Sequence, residues 1–148
     1  MIKIVMGLPC AGKSTFIKNN FEGIKKIDLY DYQANIMQQN EVWKSYEDVK
    51  DEIIKCIKNN EDFVVEHTLL KAIRRKYYID AIHEVTQEPI EIWLIKPNKE
   101  QYLKQSKMRG INHTSEDYEW YMNILEIPTT EEGFSKVHII EINDTDKI

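Results

Sequence analysis

The sequence predicts an α/β domain built on a five-stranded parallel sheet, and three observations predict it. Short apolar runs alternate with longer segments of helical period. Several of those runs are rich in Val and Ile, as strands covered on both faces tend to be. The first run passes through a glycine-containing turn straight into a helical segment, the strand–turn–helix step of such a sheet. With 148 residues, the chain fits one domain, expected to span 1–148, around a single sizeable core.

The expected strands are Ile2–Met6, Ile24–Asp28, Phe63–Glu66, Ile90–Ile95 and Val137–Ile142. Lys13 to about Asn20 follows the first strand as a helix. Ser45–Lys58 places Tyr46, Val49, Ile53, Ile54 and Ile57 on one stripe, and Ser45 with Asp48 has the spacing of a capping box. Ala72–Glu84 carries Ile73, Tyr77, Ala81 and Ile82 on one side. Lys99–Arg109 is mostly polar, with Tyr102, Leu103 and Met108 as its apolar members. Thr114 and Asp117 form a second capping box, opening a helix whose Tyr118, Tyr121, Met122 and Leu125 face inward and which Pro128 ends.

A hydrophobic content of 42% and a charged content of 30% place the chain among globular proteins rather than disordered or fibrous ones. No apolar run is long enough to span a membrane. Met1–Met6 lacks the basic start and cleavage site of a signal peptide, and two cysteines are too few for a disulfide framework, so a cytoplasmic location is expected. The net charge of −5 gives no global field for a polyanion. Any nucleic-acid contact therefore needs a local basic surface, such as Lys71, Arg74, Arg75 and Lys76, or Lys96 to Arg109.

Gly7-Leu8-Pro9-Cys10-Ala11-Gly12-Lys13-Ser14 satisfies G-x-x-x-x-G-K-[ST] at every fixed position. The chemistry explains the residue types. Successive backbone N–H groups must turn inward around a phosphate, which glycines permit, and the loop then feeds the positive end of a helix. Gly7, Pro9, Cys10, Ala11 and Gly12 supply the cradle. Lys13 can reach the β- and γ-phosphates, the Ser14 hydroxyl can ligate Mg²⁺, and Thr15 lies toward the α-phosphate. The expected fold is accordingly a P-loop NTPase fold of strand order 2-3-1-4-5, with a helical lid over about 99–127. The implied ligands are ATP or GTP with Mg²⁺. Other P-loop classes lack their marks: Asn98-Lys99-Glu100-Gln101 fails the guanine motif N-K-x-D, no D-x-x-G switch or Ser-Gly-Gly signature occurs, and the chain is short for a motor. A kinase remains.

Several stretches resemble the P-loop kinases similar to the polynucleotide 5′-hydroxyl kinases. They are the Gly-x-Pro-x-x-Gly-Lys-Ser-Thr loop, Asp28 after the second strand, Glu66-His67-Thr68-Leu69-Leu70 followed by Arg74-Arg75, Lys107-Met108-Arg109-Gly110, and Pro128 with Glu132-Gly133-Phe134. The resemblance implies a kinase whose acceptor is a nucleic-acid or nucleotide hydroxyl, a DNA or RNA 5′ end included. The chain departs from the family where it reads Asp28-Leu29-Tyr30-Asp31. The family's D-x-x-R arginine is understood to hold a substrate phosphate, and an acid there repels one. His67 likewise replaces an acid. A small-metabolite hydroxyl and a non-catalytic nucleotide-binding module are the alternatives.

Asp28, at the carboxyl end of a strand, is the candidate base for the acceptor hydroxyl, with Asp31 second. Glu66 is the candidate to hold Mg²⁺ through water. Arg109 is the candidate for charge stabilisation on the transferring group. Asp31, His67, Thr68, Arg74 and Arg75 are candidate acceptor contacts. Arg74 and Arg75 are adjacent, so one helix face holds only one of them well. Trp43, Tyr30, Tyr32 and Tyr46 cluster where an acceptor base would stack, and Asn143 follows the last strand beside the expected nucleotide base.

Overall fold

The computed structural model describes residues 1–33 and 42–142; Asn143 lies outside them. Five strands form one parallel sheet in the order β2-β3-β1-β4-β5, as expected. They are β1 (Ile2–Gly7), β2 (Lys25–Asp28), β3 (Phe63–His67), β4 (Ile90–Pro97) and β5 (Lys136–Ile142). β1 is central. It pairs with β3 from Lys3↔Val64 to Met6↔His67 and with β4 from Ile2↔Ile90 to Gly7↔Ile95. All six of its residues are buried, which is why its sequence shows little polar alternation. Lys3 is the exception in chemistry, and its ammonium is satisfied by Asp62 at 2.8 Å.

Among the described residues, six α-helices cover the two faces: α1 (Lys13–Asn20), α2 (Leu29–Gln33), α3 (Val42–Lys58), α4 (Ala72–His83), α5 (Lys99–Met108) and α6 (Ser115–Ile124). The strand period of two divides the core. Ile4, Met6, Val65, Ile92 and Leu94 point to one face, against Val49 and Ile53 of α3 and Tyr78, Ile79 and Ile82 of α4. Val5, Val64 and Ile95 point to the other, against Phe16 and Ile17 of α1 and Tyr102 of α5, with half-buried Tyr118 and Tyr121 of α6 beside them. Each fully buried Ile or Val contributes roughly 1.5–3 kcal/mol. No helix among the described residues is long and apolar enough to cross a membrane.

Three expectations are corrected. Ser45 does not cap α3: the helix already runs at Val42, and Ser45 is buried within it. The short helix α2 was not expected, because five residues carry no periodic signal. The buried stripe of α4 is Arg75, Tyr78, Ile79 and Ile82, whereas Ile73 is exposed. Ile82 faces inward as expected and Tyr77 packs against the core, but a charged residue occupies one position of the inward stripe, so apolar periodicity alone sets the face slightly out of place. The Thr114–Asp117 capping box does form, with Thr114 Oγ1 accepting from Asp117 N–H and Asp117 accepting from Thr114 N–H.

Candidate active site

The loop from Gly7 to Ser14 joins the carboxyl end of β1 to α1. A Cβ at Gly7 would come within 2.6 Å of the Ile95 carbonyl oxygen, so β4 leaves room for glycine alone. Gly12 caps α1 at φ 101, a left-handed conformation that favours glycine. Cys10 holds φ 63 without being glycine, a strained state for a side chain with a Cβ. No acidic residue sits in the first turn of α1, so the positive end of the helix is left for an anion.

Lys13 folds back over the loop. Its Nζ donates to the carbonyl oxygens of Gly7 and Leu8, both at 2.9 Å. Burial lowers its pKa to about 8, against the opposing pull of the Glu66 and Asp28 carboxylates. Ser14 Oγ donates to Glu66 Oε1 at 2.8 Å and lies 3.0 Å from Oε2. Glu66 stands on β3 directly across from Asp28 of β2 in the strand register. Asp28 accepts from Tyr30 N–H at 3.0 Å. Burial, then the neighbouring Glu66 charge, raises the Asp28 pKa above the ordinary carboxylate range.

These groups share one cavity of about 380 Å³, lined by Pro9 to Ser14, Asp28, Leu29, Tyr30, Gln33, Glu66, His67, Thr68, Arg109 and Ile111. The parallel sheet accounts for this: β1, β2 and β3 all end on one rim, where open α/β sheets bind their ligands. A second cavity of about 310 Å³ lies between the loop and α5, lined by Cys10, Gly12, Ser14, Thr15, Gln105, Met108 and Arg109. Arg109 ends α5 and borders both cavities. The Gln105 amide, with its nitrogen toward the loop, donates to the carbonyls of Cys10 at 2.8 Å and Ala11 at 3.2 Å. In the sequence Lys104 and Gln105 stand where a second lid arginine would be expected, and a glutamine there gives no signal of a contact with the loop.

Ser14 and Glu66 offer only oxygen donors, the set that suits Mg²⁺, which takes one or two protein ligands and completes its shell with water and phosphate. The residues fit that ion.

The candidate acceptor contacts separate. Thr68 and His67 border the cavity, and Asp31 is exposed on α2. His67 is nevertheless buried on the opposite face of the sheet from Glu66, its Nε2 3.0 Å from Tyr78 Oη and its ring edge-on to Tyr46. Burial depresses its pKa to about 3, so the imidazole is neutral. Its Nδ1 has no hydrogen-bond partner among the described residues. Arg74 lays its guanidinium 4.4 Å from the centre of the Trp43 ring. Arg75 is not an acceptor contact. It is 1% exposed, paired with Glu132 at 2.7 and 3.1 Å, and donates to Leu69 O at 2.8 Å. Of the expected aromatic cluster, Trp43 and Tyr46 meet edge to face at 5.4 Å, while Tyr30 borders the cavity and is 72% exposed.

Neither a protein-family model nor a curated protein sequence matches the chain. Solved structures do. An unliganded sugar kinase from Janibacter sp. HTCC2649 superposes with TM-score 0.72 and 13% identity, over 99% of this chain and 87% of that one. A gluconokinase from Sinorhizobium meliloti 1021 gives 0.68 and 15%, over 97% and 82%. A chain of the Pnkp1/Rnl/Hen1 RNA repair complex gives 0.70 and 17%, over 90% of this chain and 46% of that one. At these identities the likeness establishes the fold alone, a parallel α/β sheet of order 2-3-1-4-5 like that of these kinase structures.

Proposed function

We propose that this chain is a nucleoside-triphosphate-dependent kinase that transfers the γ-phosphoryl group of ATP or GTP to a hydroxyl. The observation that carries the reading is that Asp28 borders the same cavity as Lys13 and Ser14, so a base and a phosphate cradle face one space. The loop N–H groups and the open end of α1 hold the phosphates. Lys13 exchanges its two carbonyl partners for phosphate oxygens, which favours its charged form. Ser14 and, through water, Glu66 would hold Mg²⁺, which would supply charge neutralisation on the phosphates when bound. Asp28 orients the acceptor hydroxyl and takes its proton, a role its raised pKa suits. Arg109, exposed at the border of both cavities, is placed to neutralise the group in transfer.

For the acceptor, the resemblance to polynucleotide kinases favours a nucleic-acid or nucleotide hydroxyl. A small-metabolite hydroxyl is the second reading, and the burial of Arg75 against Glu132 favours it, because that guanidinium is withdrawn from any substrate phosphate. The test is incubation with γ-labelled ATP and GTP against 5′-hydroxyl DNA and RNA, nucleosides, sugars and sugar nucleotides. Label in oligonucleotides alone removes the metabolite reading, and label in small molecules alone removes the nucleic-acid one. Tight nucleotide binding with no labelled product, and Asp28→Asn leaving every property unchanged, points instead to a non-catalytic module.

A further inference from the structure

The register Asp28↔Glu66 sets two carboxylates side by side on the face that α1 covers. Lys26 precedes Asp28 by two positions on β2, so its side chain shares that face. Its Nζ lies 3.5 Å from Glu66 Oε1 and 3.7 Å from Asp28 Oδ2. The same Oε1 accepts the Ser14 hydroxyl at 2.8 Å. One carboxylate is thus divided between the hydroxyl assigned to Mg²⁺ and a lysine ammonium. The two carboxylate side chains are 12% and 10% exposed, whereas that of Lys26 is 36% exposed. The ammonium is the more exposed partner and can withdraw toward solvent.

Two neighbouring carboxylates with little access to water repel each other, and a cation between them offsets that repulsion. A divalent ion would supply more charge at the same oxygen. We propose that Lys26 is a built-in competitor at the metal site, its ammonium occupying Glu66 beside Asp28 until a divalent ion displaces it. The proposal rests on the assignment of Ser14 and Glu66 to Mg²⁺ made above. It means that the protein by itself holds the ion weakly and takes it up with the triphosphate, whose oxygens complete the shell.

The test is titration of the full chain with Mg²⁺, alone and with a non-hydrolysable ATP or GTP analogue, followed by calorimetry and by thermal unfolding. Lys26→Met is expected to bind Mg²⁺ about three- to tenfold more tightly than the native chain, from loss of a unit positive charge a few ångströms away. Lys26→Arg is expected to stay within about twofold, because it keeps the charge. The sign is the discriminating readout: a lysine that merely braces an edge strand would weaken metal binding when lost. Unchanged or weaker binding in Lys26→Met overturns the proposal. Glu66→Gln separates the two levels. If it weakens Mg²⁺ binding while Lys26→Met does not tighten it, only the role of Lys26 falls. If it leaves Mg²⁺ binding untouched, the metal assignment falls and the proposal with it.

Discussion

Replacing Lys13 by methionine isolates what burying one ammonium costs this fold. In the unfolded chain its pKa is the ordinary 10.5, and in the folded chain burial lowers it to about 8. Between those values the unfolded state binds more protons than the folded one, so stability rises with pH across that window. Below it both states are protonated and the cost is constant. From pH 7 to pH 10 the native protein should gain roughly 2.5 kcal/mol relative to Lys13→Met, at about 1.4 kcal/mol per unit of pKa difference. For a chain of this length that corresponds to a relative rise in Tm of about 5–10 °C. The assay is thermal unfolding of both proteins in parallel from pH 7 to pH 10, with EDTA and without nucleotide. Titrating groups that do not interact with Lys13 appear in both curves and cancel in the difference. Parallel curves would refute the reasoning, since they would mean that the ammonium is solvated rather than held under the loop. The same variant should lose triphosphate binding at neutral pH while remaining folded.

Arg75→Met should destabilise the protein by about 3–5 kcal/mol in urea unfolding, because it strands Glu132 beside a buried site. Arg74→Ala, on the half-exposed neighbour, should change stability far less. Cys10→Gly should stabilise by about 1 kcal/mol, read as a rise in Tm, since it relieves the left-handed backbone of a non-glycine residue and leaves the loop amides in place. Asp28→Asn should lower transfer by about two to four powers of ten with nucleotide affinity retained. In the native protein the acid limb of the rate profile should fall above the usual carboxylate range, because Asp28 must be ionised and its pKa is raised.

The sheet was legible because its signals are local. Val- and Ile-rich runs, a glycine loop and a capping box each act within a few residues, and the order 2-3-1-4-5 followed from the loop motif. Arg75 shows what was not legible. A run of positions 75, 78, 79 and 82 faces the core, but an arginine opens it, and its partner Glu132 lies far along the chain. Nothing local in the sequence signals that a charge is neutralised by a residue that distant. His67 was only partly legible for a related reason: it directly follows the expected third strand, Phe63–Glu66, but its burial between Tyr46 and Tyr78 depends on two helices packing over it. Gln105 and Lys26 carry no motif at all. Their relevance comes from strand register and helix placement, which only the assembled fold supplies.

β2 is four residues long and lies at the border of the sheet, hydrogen-bonded to β3 alone. The phosphate loop, by contrast, springs from the central strand, braced on both sides. The half of the site assigned to the nucleotide is therefore anchored on the central strand, while the half assigned to the acceptor hangs from a short edge strand. On the proposed function, substitutions around β2 and α2 should alter the choice of acceptor at little expense to the grip on the donor. Under that proposal, the edge of the sheet is where a change of acceptor meets the least structural resistance.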